Sequence, residues 1–161
     1  MSELAEQTST EAQPTPNKVV PYAVLMELSH RCPLQCPYCT NPIQLERASG
    51  ELTTEEWKRV MDEAVEMGAL HVHFSGGAPT VRKDLEDIIA HAAKLGLYSN
   101  LITSGVLLDE KRVHRFAELG LDHVQISFQD STSEVGDWVA GYDGAHEKKK
   151  QVSRWVREAD M

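Results

Sequence analysis

All three cysteines of this 161-residue chain fall in one short loop, Cys32-Pro-Leu-Gln-Cys36-Pro-Tyr-Cys39. Three thiolates so close together can turn toward a single inorganic centre. Pro33 and Pro37 discourage a regular helix there and fix the turns. Most iron–sulfur clusters take four cysteines. With three, one iron is left open to an outside ligand, by the same logic that separates catalytic from structural zinc sites. The competing arrangement is a Cys3His zinc site using His30. His30 is only two residues from Cys32, and zinc sites generally pair two separated ligand halves, which counts against it.

Other residues have types that suit a ligand rim. Ser75-Gly76-Gly77-Ala78-Pro79 contains paired glycines, which permit close approach of backbone to a ligand and equally serve a turn. Thr103, Ser104 and Gly105 form a second polar cluster, and Gln129 with Asp130 a third; an ordinary turn accounts for each as readily. His71 and His73 are better explained as hydrogen-bonded interior histidines than as ligands. Glu27 is open to both readings.

The elements that position these residues alternate strand and helix. Strand-like runs cover Ala23–Leu28, Ala69–Phe74, Leu97–Ile102 and His123–Phe128. Helical stripes fall between and after them: Trp57, Val60, Met61, Ala64 and Val65; Leu85, Ile88, Ile89 and Ala92; Val113, Phe116 and Ala117; Val152, Trp155, Val156 and Ala159. Thr53 with Glu56 forms a capping box, and Gly68, Gly96 and Gly120 stand where helices end. Four βα units predict parallel strands with right-handed crossovers. Within the second and fourth strands apolar residues alternate with His71, His73, Ser75, His123, Gln125 and Ser127. A sheet covered by helices on both faces would be apolar throughout. The expected fold is therefore α/β, a partial TIM-like (β/α) barrel around a polar lumen, with each rim cluster at the C-terminal end of a strand. The pattern stops before a fifth strand, so the chain is expected to be the front part of a longer protein, leaving strand edges open.

Residues 1–18 are polar, with Pro14 and Pro16, and are expected to form a disordered tail ahead of a core domain spanning 19–161. A net charge of −9 argues against an extended nucleic-acid footprint. The run Lys148–Lys150 is predicted to be a solvated helix face. The absence of a long apolar stretch or signal pattern predicts a cytoplasmic protein without a membrane span. In that reducing setting thiols stay available for metal.

The C-x3-C-x2-C loop resembles the signature of the radical S-adenosylmethionine (SAM) enzymes from about Val20 to the end. The resemblance implies a 4Fe–4S cluster on Cys32, Cys36 and Cys39, with SAM chelating the open iron through its amino and carboxylate groups. Reductive cleavage of SAM would then yield a 5′-deoxyadenosyl radical. Tyr38 matches the aromatic position beside the adenine. Gly76, Gly77 and Ala78 match the Gly-Gly-Glu-Pro loop that receives the SAM amino group. Ala78 departs from that pattern, and an acid restored there is expected to tighten SAM binding about tenfold. Thr103, Ser104 and Gln129 match the rim that contacts the SAM carboxylate and ribose.

Four stretches resemble one radical SAM family in particular, the PqqA peptide cyclases of pyrroloquinoline quinone biosynthesis. They are Glu27-Leu-Ser-His-Arg-Cys-Pro-Leu-Gln-Cys-Pro-Tyr-Cys-Thr-Asn-Pro42, Leu97-Tyr-Ser-Asn-Leu-Ile-Thr-Ser-Gly105, Gln125-Ile-Ser-Phe-Gln-Asp-Ser131 and Ala140-Gly-Tyr-Asp-Gly-Ala-His146. The resemblance implies a carbon–carbon cross-link between glutamate and tyrosine side chains of the precursor peptide PqqA, presented by the chaperone PqqD, with a reductase as electron donor. That family's C-terminal extension carries further cysteines for auxiliary clusters; none follows Cys39 here. A non-catalytic remnant that keeps only the cluster, and a GTP cyclase of molybdenum cofactor synthesis, are the alternatives.

Overall fold

The computed structural model describes residues 20–41 and 50–161; the expected tail lies outside them. Four parallel strands, β1 (Ala23–Ser29), β2 (His71–Gly76), β3 (Tyr98–Thr103) and β4 (His123–Ile126), lie side by side in chain order. Helices α1 (Thr54–Met67), α2 (Leu85–Lys94) and α3 (Glu110–Glu118) fill the crossovers. After β4 come α4 (Ser133–Ala140) and α5 (Ala145–Glu158). Sequential strand order with all-parallel pairing is how a (β/α) barrel wall is laid down, and a doubly wound sheet would break that order.

The two faces of the sheet differ as the alternation predicts. Met26, Leu28, Val72, Phe74, Leu101 and Val124 point into one core with Met61, Ile88, Ile89, Phe116 and Val152 from the helices. On the opposite face Leu25 is 59% exposed. There His73 pairs in register with Asn100, and Asn100 with His123. The Asn100 side chain bonds both rings, at 3.2 Å to His73 Nδ1 and 3.0 Å to His123 Nδ1. His71 bonds the hydroxyl of Tyr22, just ahead of β1, at 2.9 Å, so His71 and His73 both have hydrogen-bond partners.

Local signals hold at the helix ends. Thr53 and Glu56 make the reciprocal capping box, and Gly68 closes α1 in the left-handed conformation. Asp109 caps α3 by accepting from Arg112 N at 2.7 Å. Helix α4 has no counterpart among the expected elements, because its eight residues include Gly136 and show no long apolar stripe. Gly136 packs where a Cβ would stand 3.2 Å from His146 Nδ1, which lets α4 lie close against α5.

Candidate active site

The cysteine loop leaves the C-terminal end of β1 and is held from below by charge. Ser29 donates to Glu51 Oε1 at 2.5 Å and accepts from Arg31 N at 3.1 Å. Arg31 grips both oxygens of Glu51, at 3.1 and 3.0 Å. Arg82, 6% exposed, donates to the carbonyls of Leu28 and Leu52 and forks onto Asp84. Arg112 ties the next turn by donating to the carbonyls of Thr80 and Arg82. Burial pushes the Glu51 carboxyl up, but Arg31, Ser29 and Arg82 outweigh it and hold the group below the usual carboxylate range. Asp84 is likewise raised by burial and brought lower on balance by Arg82 and Thr54.

The glycine loop after β2 meets this loop backbone to backbone. Gly77 N donates to Ser29 O at 2.6 Å and Ala78 N to Arg31 O at 2.8 Å. A Cβ on Gly76 would stand 2.3 Å from Ser29 O, and one on Gly77 would stand 2.6 Å from His30 O. The paired glycines are thus required by the contact between two loops. Helix α4 braces the far side, where Gln35 N donates to Ala140 O at 2.8 Å.

Together these loops enclose a cavity of about 190 Å³. Cys32, Cys36, Cys39, Tyr38, Gly76, Gly77, Thr103, Ser104 and Gln129 all line it. Ala78 does not: its side chain is fully buried behind the loop. Asp130 is also set apart, accepting from Thr132 N and Oγ1 in the turn that leads into α4. Leu34, Ile102 and Ser127 complete the lining, and none of them carried a signal in the sequence beyond proximity to a strand end.

Lys149 is the residue that sequence reasoning misplaced. It is 1% exposed and donates to Gln129 Oε1. Burial pushes its ammonium down, opposed by the negative charge of Cys36, Asp137 and Cys32. Its neighbours do lie outside, Lys148 over the Trp155 ring and Lys150 beside Glu147 at 3.0 Å.

The residues fit an iron–sulfur cluster with a polar ligand beside it. Three thiols share one cavity, and the buried Ser104 Oγ in its wall has no hydrogen-bond partner among the described residues. A buried hydroxyl left unpaired is costly unless a bound group satisfies it. His30 does not line the cavity; its Nδ1 meets Asn41 Oδ1 at 3.0 Å.

The Radical SAM superfamily profile matches residues 26–161. The chain belongs to the radical SAM superfamily. Membership implies an iron–sulfur cluster and SAM as cofactors, in keeping with the thiol-lined cavity. This radical SAM chain is 58% identical over 142 residues to the PqqA peptide cyclase of Rhodopseudomonas palustris, covering 88% of the chain and 38% of that protein. It is 57% identical over 142 residues to that of Bradyrhizobium diazoefficiens, covering 88% and 37%. With that of Rhizobium meliloti it shares 47% over 159 residues, covering 99% and 42%. The chain thus spans about two fifths of the length of these curated relatives.

Among solved structures, Streptococcus suis SuiB bound to S-adenosylmethionine superposes with a TM-score of 0.74 at 19% identity, covering 87% of this chain and 30% of that one. Native anSMEcpe with bound AdoMet and Cp18Cys peptide gives 0.68 at 21%, covering 88% and 41%. These likenesses confirm the partial barrel.

Proposed function

We propose that the chain is the cofactor-binding part of a PqqA peptide cyclase, acting in the cytoplasm. Cys32, Cys36 and Cys39 hold a 4Fe–4S cluster, and Tyr38, Gly76, Gly77, Thr103, Ser104 and Gln129 border the SAM beside it. The observation that carries this reading is the convergence of three thiols and the unpartnered Ser104 hydroxyl on one cavity at the C-terminal ends of the strands. The identity to PqqA peptide cyclases supports the substrate. When bound, the cluster and SAM supply the reductive radical chemistry characteristic of the superfamily.

The chain's own residues position that chemistry. The Glu51–Arg31 and Arg82–Asp84 pairs fix the base of the cysteine loop. The loop contact through Gly76 and Gly77 sets the cavity floor, and Leu34 and Ile102 give it apolar wall that limits water. The substrate is the PqqA peptide, with PqqD presenting it and a reductase supplying electrons, and the product is a Glu–Tyr carbon–carbon cross-link.

Anaerobic reconstitution followed by iron and sulfide analysis and Mössbauer spectroscopy tests the cluster. About one cluster per chain, lost in Cys36→Ala, is expected; stoichiometric zinc would overturn it. Release of 5′-deoxyadenosine and a mass loss of two hydrogens from PqqA, with PqqD present, test the chemistry. A cluster-loaded chain that never cleaves SAM would favour a non-catalytic remnant.

A further inference from the structure

Lys149 is a cation in a place where cations are expensive. Its side chain is 1% exposed, and its hydrogen-bond partner among the described residues is the neutral Gln129 Oε1. The Asp137 carboxylate favours the ammonium by its charge, but its oxygens already accept from Gly144 N at 2.8 Å and His146 N at 2.7 Å, where they anchor the start of α5. Gln129 lines the same cavity as Cys32, Cys36 and Cys39, so the ammonium stands behind a wall that the thiols share. A buried ammonium without an anion is strongly disfavoured.

The compensating charge is available once the cysteines are metallated. Three thiolates make the cluster and its ligands anionic as a whole, and one-electron reduction adds a further negative charge. Net charge and the groups around the sulfurs are what set iron–sulfur potentials. A fixed cation in a poorly screened interior acts more strongly on such a centre than one at the surface. Helix α5 fixes this cation: Ala145, Val152 and Val156 on the same stripe are buried in the core. Lys148 and Lys150 lie outside with partners of their own.

We propose that Lys149 is the built-in counter-charge of the cysteine-bound cluster, a positioning residue that favours the reduced cluster from behind Gln129. The inference rests on the cluster reading above and concerns how readily that cluster accepts an electron.

The test is a dithionite titration of the reconstituted chain followed by electron paramagnetic resonance, without SAM. Lys149→Met is expected to weaken the reduction equilibrium at least tenfold, a shift of 59 mV or more to negative potential for a one-electron couple. Lys149→Arg keeps the charge and should stay within threefold of the parent. Lys150→Met removes the same net charge from the exposed face and should also leave the potential in place. If Lys149→Met does not load iron, Lys149→Gln, which keeps a polar contact to Gln129, gives the same reading. A neutral Lys149 variant with the parent's potential overturns the proposal, even if calorimetry shows lost SAM affinity, since that result would assign the charge to the SAM carboxylate. An equal shift in Lys150→Met also overturns it, by reducing the effect to overall charge. A parent chain that binds no iron overturns the cluster reading itself, and this inference with it.

Discussion

Gly76→Ala is the sharpest test of how the two loops are joined. Gly76 has φ +116, and the added Cβ would stand 2.3 Å from Ser29 O and 3.2 Å from Ser29 N, both backbone atoms that cannot swing aside. Holding an L residue in a left-handed conformation costs about 1–2 kcal/mol. Moving the strand end away from Ser29 also breaks the 2.6 Å bond from Gly77 N to Ser29 O, worth about 0.5–1.5 kcal/mol. Ala restricts the unfolded chain, which returns about 0.4–1 kcal/mol. These terms net to a loss of about 0.5–3 kcal/mol, to which any clash left after the loops shift is added. For a domain of this size that corresponds to a fall in Tm of about 1–12 °C.

Two other glycines separate the contributions. Gly96 has φ +73 but open space around a Cβ, so Gly96→Ala should lose only the conformational part, about 1 kcal/mol. Gly50 has open space and no left-handed φ, so Gly50→Ala should be neutral or slightly stabilising. Differential scanning calorimetry on the apo chains gives the three shifts, and iron content after reconstitution shows whether Gly76→Ala also disturbs the thiols. Equal shifts for Gly76→Ala and Gly96→Ala would refute the loop-contact argument.

Acid should loosen the cysteine loop through Glu51 and Asp84, both held below their usual values. A lowered carboxyl contributes stability above its unfolded value, near 4, and loses it as pH falls through the folded value. Glu51→Gln should therefore be less stable than the parent at pH 7 and converge with it near pH 3; parallel Tm profiles would refute this. Ala78→Glu, which the resemblance suggested would tighten SAM binding, is now expected to lower Tm without any gain in affinity, because Ala78 has 0% exposure and a carboxylate there is buried. Calorimetry with SAM and a melt decide it. Ser104→Ala should leave apo stability nearly unchanged, since the hydroxyl has no partner to lose, while weakening SAM binding severalfold. A destabilised apo variant with normal affinity would show that the hydroxyl serves the fold.

The barrel wall was legible because alternation is a two-residue signal that survives in short strands. Val72 and Phe74 against His71 and His73 already assign the faces, and the structure adds the His73–Asn100–His123 row that uses the polar one. Helix α4 was not legible, since a short helix with an interior glycine offers little periodicity, and its place is set by packing on α5 and on Gln35. The role of Gly76 and Gly77 was half legible. The sequence marks a place where backbone must come close to something, and only the fold shows that the something is the cysteine loop.

Lys149 shows where a charge run misleads. Three consecutive lysines suggest a wet surface, yet successive residues of a helix point about 100° apart, so one of three can face inward while the others stay in water. The spacing Ala145, Lys149, Val152, Val156 follows the i, i+4, i+7, i+11 rule of a buried stripe, and all four are buried. A lysine on an apolar stripe calls for a partner, and the partner comes from elsewhere in the chain: Gln129, just past β4, which lines the cavity that the thiols share. The cysteine loop identified itself by spacing alone. The charge aimed at it could be recognised only by asking which member of the run the helix turns toward the core.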